Sequence, residues 1–190
     1  MPAPSPPIKL THEDYLNLPE DGKRHELIDG EHYATRAPFT RHQILLANLF
    51  RALDRWVDEG DLGRVLPAPV DVVLSEVDVV QPDLLFLARE HLDRLTEANV
   101  RGAPDLVVEI VSESTRKTDE ITKRHLYERY GVPEYWIVDP VLESVKVYRG
   151  APGERYARAS ALTREAGETG DSLATPLLPG LKVRLEDVFR

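Results

Sequence analysis

Apolar and polar positions follow two different periods along this chain, and the switches between them mark its elements. From about Thr40 to Glu59, Leu45, Leu49, Leu53 and Trp56 recur at helical spacing, and the run ends at Gly60 to Gly63, which predicts a long amphipathic helix. A second helix is predicted from Asp119 to Tyr130, where Lys123, Leu126, Tyr127 and Tyr130 form one stripe before Gly131 and Pro133 stop it. Thr11, followed by Glu13 and Asp14, opens a short helix, and Arg89 to Thr96 reads as another.

Between these lie short runs of strand character. Arg24 to Tyr33 reads as a hairpin, because Asp29-Gly30 supplies positive-φ turn residues between two apolar segments. Arg64-Val65-Leu66 and Val70 to Leu74 read as strands broken by Pro67 and Pro69. The run Val79 to Phe86 containing Asp83, the run Leu106 to Val111, and the pair Glu134 to Asp139 and Ser144 to Tyr148 around Pro140 follow. After residue 150 the pattern loosens, with a strand near Tyr156 to Leu162 and a last one near Leu181 to Leu185. The pattern predicts an α/β protein with a central mixed β-sheet flanked by the two long helices. It is expected as a single domain over residues 11–190 after a disordered lead-in at 1–10.

Composition narrows the chemistry. At 190 residues and 42% hydrophobic content the chain is large enough for one core of ordinary size. It has no cysteine, which excludes disulfides, thiolate zinc sites and cysteine nucleophiles. No run approaches the ~18 apolar residues of a membrane span, and Met1 to Pro7 lacks a signal-peptide core, so a cytoplasmic protein is expected, with no membrane partner. The 24 basic and 33 acidic residues leave a net charge of −9, which argues against tight nonspecific DNA binding through the whole surface. It leaves room for a nuclease, whose working field is local and includes any bound metal.

Two carboxylates stand out because they interrupt apolar runs: Asp83 in Val79-Val80-Gln81-Pro82-Asp83-Leu84-Leu85-Phe86 and Glu109 in Leu106-Val107-Val108-Glu109-Ile110-Val111. An ionised carboxylate there is costly unless a cation or several donors meet it. A divalent ion with oxygen ligands is one such cation, since magnesium is typically held by one or two carboxylates, water and phosphate. Lys123 heads the apolar stripe of the second helix, where it can reach back over the preceding strand toward these acids.

These residues resemble a known superfamily. Pro82-Asp83, then Glu109, then a lysine is similar to the PD-(D/E)XK nucleases. More closely, His25-Glu26-Leu27-Ile28-Asp29-Gly30-Glu31, Val80-Gln81-Pro82-Asp83, Asp105 to Ser112 and Gly131 to Asp139 resemble the Uma-type family of restriction endonucleases, from about Leu18 to Phe189. The resemblance implies a restriction-endonuclease-like core and phosphodiester cleavage of DNA, with Asp83 and Glu109 as ligands of Mg2+ or Mn2+. The superfamily pattern would put its lysine two residues after Glu109, where this chain has Val111; Lys123 is the displaced equivalent. The family's amino-terminal acid matches Glu26. Cutting two strands suits twofold symmetry, so a homodimer is expected, though no interface is legible.

Blander readings exist for each residue. Asp83 after Pro82 suits a turn cap, Lys123 could pair with Asp119 one helical turn earlier, and a glutamate beside a turn, like Glu26, is ordinary when solvated. His42, one turn before Leu45, reads as a core histidine in preference to a phosphate contact. Gln81 and Ser112 flank the acids as weaker candidates. Arg116, Lys117, Arg124 and Arg129 could grip phosphate, but the acids Glu113, Asp119, Glu120 and Glu128 interleave with them, so a solvated face is expected. The rival to an enzyme is a catalytically silent binding or scaffold module on the same fold.

Overall fold

A computed structural model describes residues 9–164 and 171–190 of the chain. The start of the expected lead-in lies outside these residues. In chain order the elements are α1 (His12–Tyr15), β1 (Arg24–Ile28), β2 (Glu31–Thr35), α2 (Thr40–Glu59), β3 (Gly63–Pro67), β4 (Val72–Ser75), β5 (Asp78–Val80) and β6 (Leu84–Ala88). A 3-10 turn at Arg89–Arg94 follows, then β7 (Val100–Arg101) and β8 (Leu106–Ile110). A π-helical segment, Thr118–Lys123, runs into α3 (Arg124–Arg129). The remainder is β9 (Glu134–Asp139), β10 (Ser144–Arg149), β11 (Ala157–Thr163), β12 (Ser172–Leu173), β13 (Val183–Arg184) and α4 (Leu185–Val188).

Two sheets carry the architecture. One has six strands in the order β11-β10-β9-β8-β6-β3, antiparallel except for the parallel pair β8 and β9. The other has five, in the order β2-β1-β5-β4-β7, with β4 and β7 parallel. This is the expected mixed α/β arrangement.

Strand alternation divides the core in two. Leu106, Val108 and Ile110 of β8, with Trp136 and Val138 of β9, pack with Leu45, Leu49 and Leu53 of α2 and with the carboxy-terminal Leu185, Val188 and Phe189. Val107, Tyr135 and Ile137 face the other way, against Leu126 and Tyr127 of α3 and Ile28, Val72 and Val80 of the five-stranded sheet. Both faces of β8 and β9 are therefore buried, which explains why they read as near-continuous apolar runs.

Three local outcomes depart from expectation. The run around Asp83 is two strands, because Pro82 has no N–H to continue a ladder. Gln81-Pro82-Asp83 is the crossing by which the chain leaves β5 in one sheet and enters β6 in the other. The second long helix begins as a π-turn. The Tyr135 hydroxyl donates to the Asp119 carbonyl at 3.0 Å, a group that an α-helix would bind from Lys123 N, and such an intrusion into the ladder widens the turn. Finally, the strand expected at Leu181 to Leu185 is shortened to β13, since α4 starts at Leu185. The helix at Thr11 has the expected cap, with the Thr11 N–H donating to Asp14 Oδ2 at 2.8 Å in a capping box.

Candidate functional site

The carboxy-terminal end of β8, the β5 to β6 crossing, β1, the start of α2 and the π-turn meet at one point. Glu109 occupies the fourth position of β8, on the face turned toward α3, and Lys123 at the end of the π-turn reaches back to it. The Lys123 Nζ donates to Glu109 Oε1 at 3.0 Å, lies 2.8 Å from Glu26 Oε1, and lies 3.8 Å from Asp119 Oδ1. The Tyr127 hydroxyl, one turn after Lys123, also donates to Glu109 Oε1, at 2.9 Å.

Asp83 is held beside this group from three directions. Arg24 Nη1 donates to Oδ1 at 2.7 Å, His42 Nε2 lies 3.0 Å from Oδ2, and the Ile110 N–H donates to Oδ2 at 2.8 Å. The last contact ties Asp83 to the residue after Glu109. Gln81 links the halves, because its N–H donates to Glu26 Oε1 at 2.8 Å while its carbonyl accepts from Arg24 at 3.3 Å. Alternation explains the supply of groups from β1: Arg24 and Glu26 are two apart and share a face.

Of the four residues singled out from sequence, Glu26, Glu109 and Lys123 therefore share one ion-pair cluster, and Asp83 adjoins it through the backbone of β8. The solvated alternative for Glu26 and the surface pair for Lys123 and Asp119 do not describe this structure, as Glu26 is 3% exposed, Lys123 4% and Asp119 3%. His42, expected to sit in the core, instead contacts Asp83, and its Nδ1 is buried without a hydrogen-bond partner. Arg24, Asp119 and Tyr127 were not singled out as site residues. The Arg24-x-Glu26 alternation and the i,i+4 spacing of Asp119 and Lys123 were the signals for two of them.

Most of the weaker candidates are occupied elsewhere. The Gln81 amide donates to Asp71 and to the Tyr15 hydroxyl, and Ser112 bonds Ser114 and Thr115. Arg116 pairs with Asp139, Arg129 with Asp29 and Asp78, and Arg124 lies over the Tyr148 ring. A surface groove between α2 and the carboxy terminus, lined by Asn48, Arg51, Arg55 and Asp187 among others, contains none of the clustered acids.

The electrostatics are unbalanced. Four buried carboxylates, Glu26, Asp83, Glu109 and Asp119, share two permanent cations, Arg24 and Lys123. Burial would raise the Asp83 carboxyl, but His42 and Arg24 outweigh it and hold it down at about 2. Burial, opposed by Lys123 but joined by Asp119, Asp83 and Glu26, pushes Glu109 up to about 8. Burial likewise raises Asp119 to about 6. For Lys123, burial is overcome by Glu109, Glu26 and Asp119, and the ammonium is held above its usual range. The directions thus differ within the pair: the acids around Lys123 hold its ammonium charged, while burial pushes Glu109 toward its protonated form.

An all-oxygen donor set with surplus negative charge fits a hard divalent cation. It does not form a ready cage, since among the described residues no three histidine, aspartate or glutamate side chains gather closely enough to hold a metal ion. Asp83 and Glu109 are the residues that could hold such an ion, with water and phosphate oxygens supplying the rest. Around Asp83 the side chains that keep some exposure are Arg24, at 20%, and His42, at 11%.

No curated protein matches the chain. Among solved structures it is similar to a "putative nuclease belonging to DUF820 from Anabaena variabilis ATCC 29413", with 20% identity, a TM-score of 0.77, and 96% of this chain and 98% of that chain covered. That likeness establishes the fold. A second, to the type IIG restriction endonuclease BpuSI, has 15% identity and a TM-score of 0.40 over 64% of this chain and 13% of that one, too distant to bear on the argument. The family described as "Uma2: Putative restriction endonuclease" matches residues 12–186, and the chain belongs to that family.

Proposed function

We propose that this protein is a divalent-metal-dependent phosphodiesterase acting on DNA, with Mg2+ or Mn2+ as its cofactor. The observation that carries the reading is the convergence of Asp83, Glu109 and Lys123 in a buried cluster whose acids outnumber its permanent cations. Asp83 and Glu109 would hold the ion. When bound, it supplies Lewis acidity to the scissile phosphate and its leaving oxygen.

The chain's own residues do the rest. Lys123, charged throughout the neutral range, orients the attacking water and offsets charge on the pentavalent phosphate. Arg24 and His42 fix the Asp83 carboxylate, and Arg24, whose side chain keeps 20% exposure, would meet an incoming phosphate oxygen. Glu26 holds the Lys123 ammonium together with Glu109. The match of the chain to a restriction endonuclease family supports DNA as the substrate.

One observation favours a second reading, a silent binding module. Both Asp83 oxygens are already engaged, and the acids are almost wholly buried. Metal-dependent melting separates the two. An ion at 100 times its dissociation constant stabilises the folded state by about 2.7 kcal/mol, and Asp83→Ala is expected to erase most of that shift. Cleavage of plasmid and single-stranded DNA by wild type, lost in Glu109→Ala and Lys123→Ala, completes the test. No shift at millimolar metal, or cleavage that survives both substitutions, would sink the assignment.

A further inference from the structure

Lys123 sits where a cation belongs. Its ammonium bridges Glu26 and Glu109 at 2.8 and 3.0 Å and stands 3.8 Å from Asp119, with its side chain 5% exposed. Two of these contacts are closed, and the third is open by about 1 Å relative to an ordinary charged hydrogen bond. Asp119 makes no other ion pair among the described residues, and its backbone is fixed on both sides: its N–H donates to the Thr115 carbonyl at 2.9 Å, and its carbonyl accepts from Tyr135 at 3.0 Å. A buried carboxylate is thus held rigidly just beyond the lysine's reach.

The geometry points to a two-seat arrangement in which Lys123 is the resident cation of the metal-free protein and Asp119 is its alternative seat. This rests on the metal reading above. A divalent ion that binds Glu109 meets an ammonium already at 3.0 Å, and two cations so close in a buried site repel strongly. The ammonium cannot leave for water, because the side chain is enclosed. It moves onto Asp119, keeps its contact with Glu26, and so remains beside the ion. Asp119 is a positioning residue that acts through Lys123.

Two consequences distinguish this from a simple structural salt bridge. Lys123 competes with the metal, so removing it tightens metal binding even as it removes a group the reaction needs. Asp119 helps the metal only while Lys123 is present. The experiment is Mn2+ titration calorimetry on the full chain, comparing wild type, Lys123→Met, Asp119→Asn and the double variant, with metal-free melting recorded for each.

Lys123→Met is expected to bind Mn2+ about tenfold more tightly than wild type, and Asp119→Asn about tenfold more weakly. In the Lys123→Met background the Asp119 substitution should change affinity by less than about threefold, a non-additivity that a direct ligand would not produce. A Lys123→Met protein that binds no more tightly than wild type overturns the proposal, as does an equal Asp119 loss in both backgrounds. Should Lys123→Met fail to fold, Lys123→Gln takes its place in the same cycle, with the same supporting and overturning results. If wild type itself binds no Mn2+, the metal reading falls first; binding without the coupling sinks only the two-seat arrangement.

Discussion

At the scale of single residues, the cluster keeps charges that a purely structural core would shed. Buried ion pairs often stabilise less than apolar replacements of similar shape, so four acids on two permanent cations imply a cost to the fold. That cost has a pH signature. Glu109 is pushed from 4.5 to about 8, so the folded state holds a proton that the unfolded state has released. Its stabilising contribution is complete below about pH 4.5 and is lost as pH rises toward 8. Asp119, raised from 3.8 to about 6, acts in the same direction over a lower window. Asp83, lowered from 3.8 to about 2, has the opposite sign and loses its contribution only as pH falls through that range. Glu109→Gln removes the titrating group and keeps its shape. In metal-free buffer its unfolding free energy, measured by urea denaturation, should fall less than that of wild type between about pH 5 and pH 8. An identical slope for both proteins would show that Glu109 does not titrate in this range, and the proton that relieves the charge surplus would then have to sit on another acid.

At the scale of elements, the site depends on registers set some distance away. Gly63 begins β3 with φ +148, and a Cβ there would sit 2.0 Å from the Leu87 carbonyl oxygen, on backbone that no side-chain rotation can relieve. β3 pairs with β6, and just beyond this pair Ala68 N–H donates to the Asp83 carbonyl at 2.9 Å, so the strand that Gly63 pins also fixes the backbone of a site acid. Gly63→Ala should cost at least about 2 kcal/mol in thermal or chemical unfolding. Wild-type stability in this variant would mean that the close approach to Leu87 relaxes without penalty. What the sequence made legible follows the same logic of local pattern. The α2 span and the Asp29-Gly30 hairpin were readable from periodicity and turn chemistry, and Glu109 stood out because a charge within an apolar strand has few explanations. Lys123 was legible as the head of a helical stripe. Arg24 and His42 were not, since they meet Asp83 across sequence separations of 59 and 41. The π-turn was invisible for a related reason: its cause is a hydroxyl on β9 that no helical pattern contains.

At the scale of the whole molecule, charge and site pull in opposite directions. A chain with a net charge of −9 repels a polyanion, and three of the basic residues around the second helix are engaged by acids of their own: Arg116 by Asp139 and Glu120, Lys146 by Glu120, and Arg129 by Asp29 and Asp78. The cluster itself adds surplus negative charge. DNA binding through the proposed site is therefore expected to be linked to metal, because a divalent ion would cancel the surplus negative charge at the place where a phosphate must approach. The linkage is reciprocal: DNA should tighten metal binding by the same factor as metal tightens DNA binding. Fluorescence anisotropy of a labelled duplex, with Ca2+ as a non-hydrolysing stand-in for Mg2+, measures one side of this cycle. Without divalent ions, binding should be no tighter than the nonspecific range of about 10⁻⁴ to 10⁻⁶ M, with a shallow dependence on monovalent salt because few phosphates are neutralised. Ca2+ should strengthen binding by at least about tenfold in wild type and leave Asp83→Ala unchanged. Tight, strongly salt-dependent binding in chelator would place the DNA-contacting surface elsewhere on the molecule, on a basic face that this cluster does not touch.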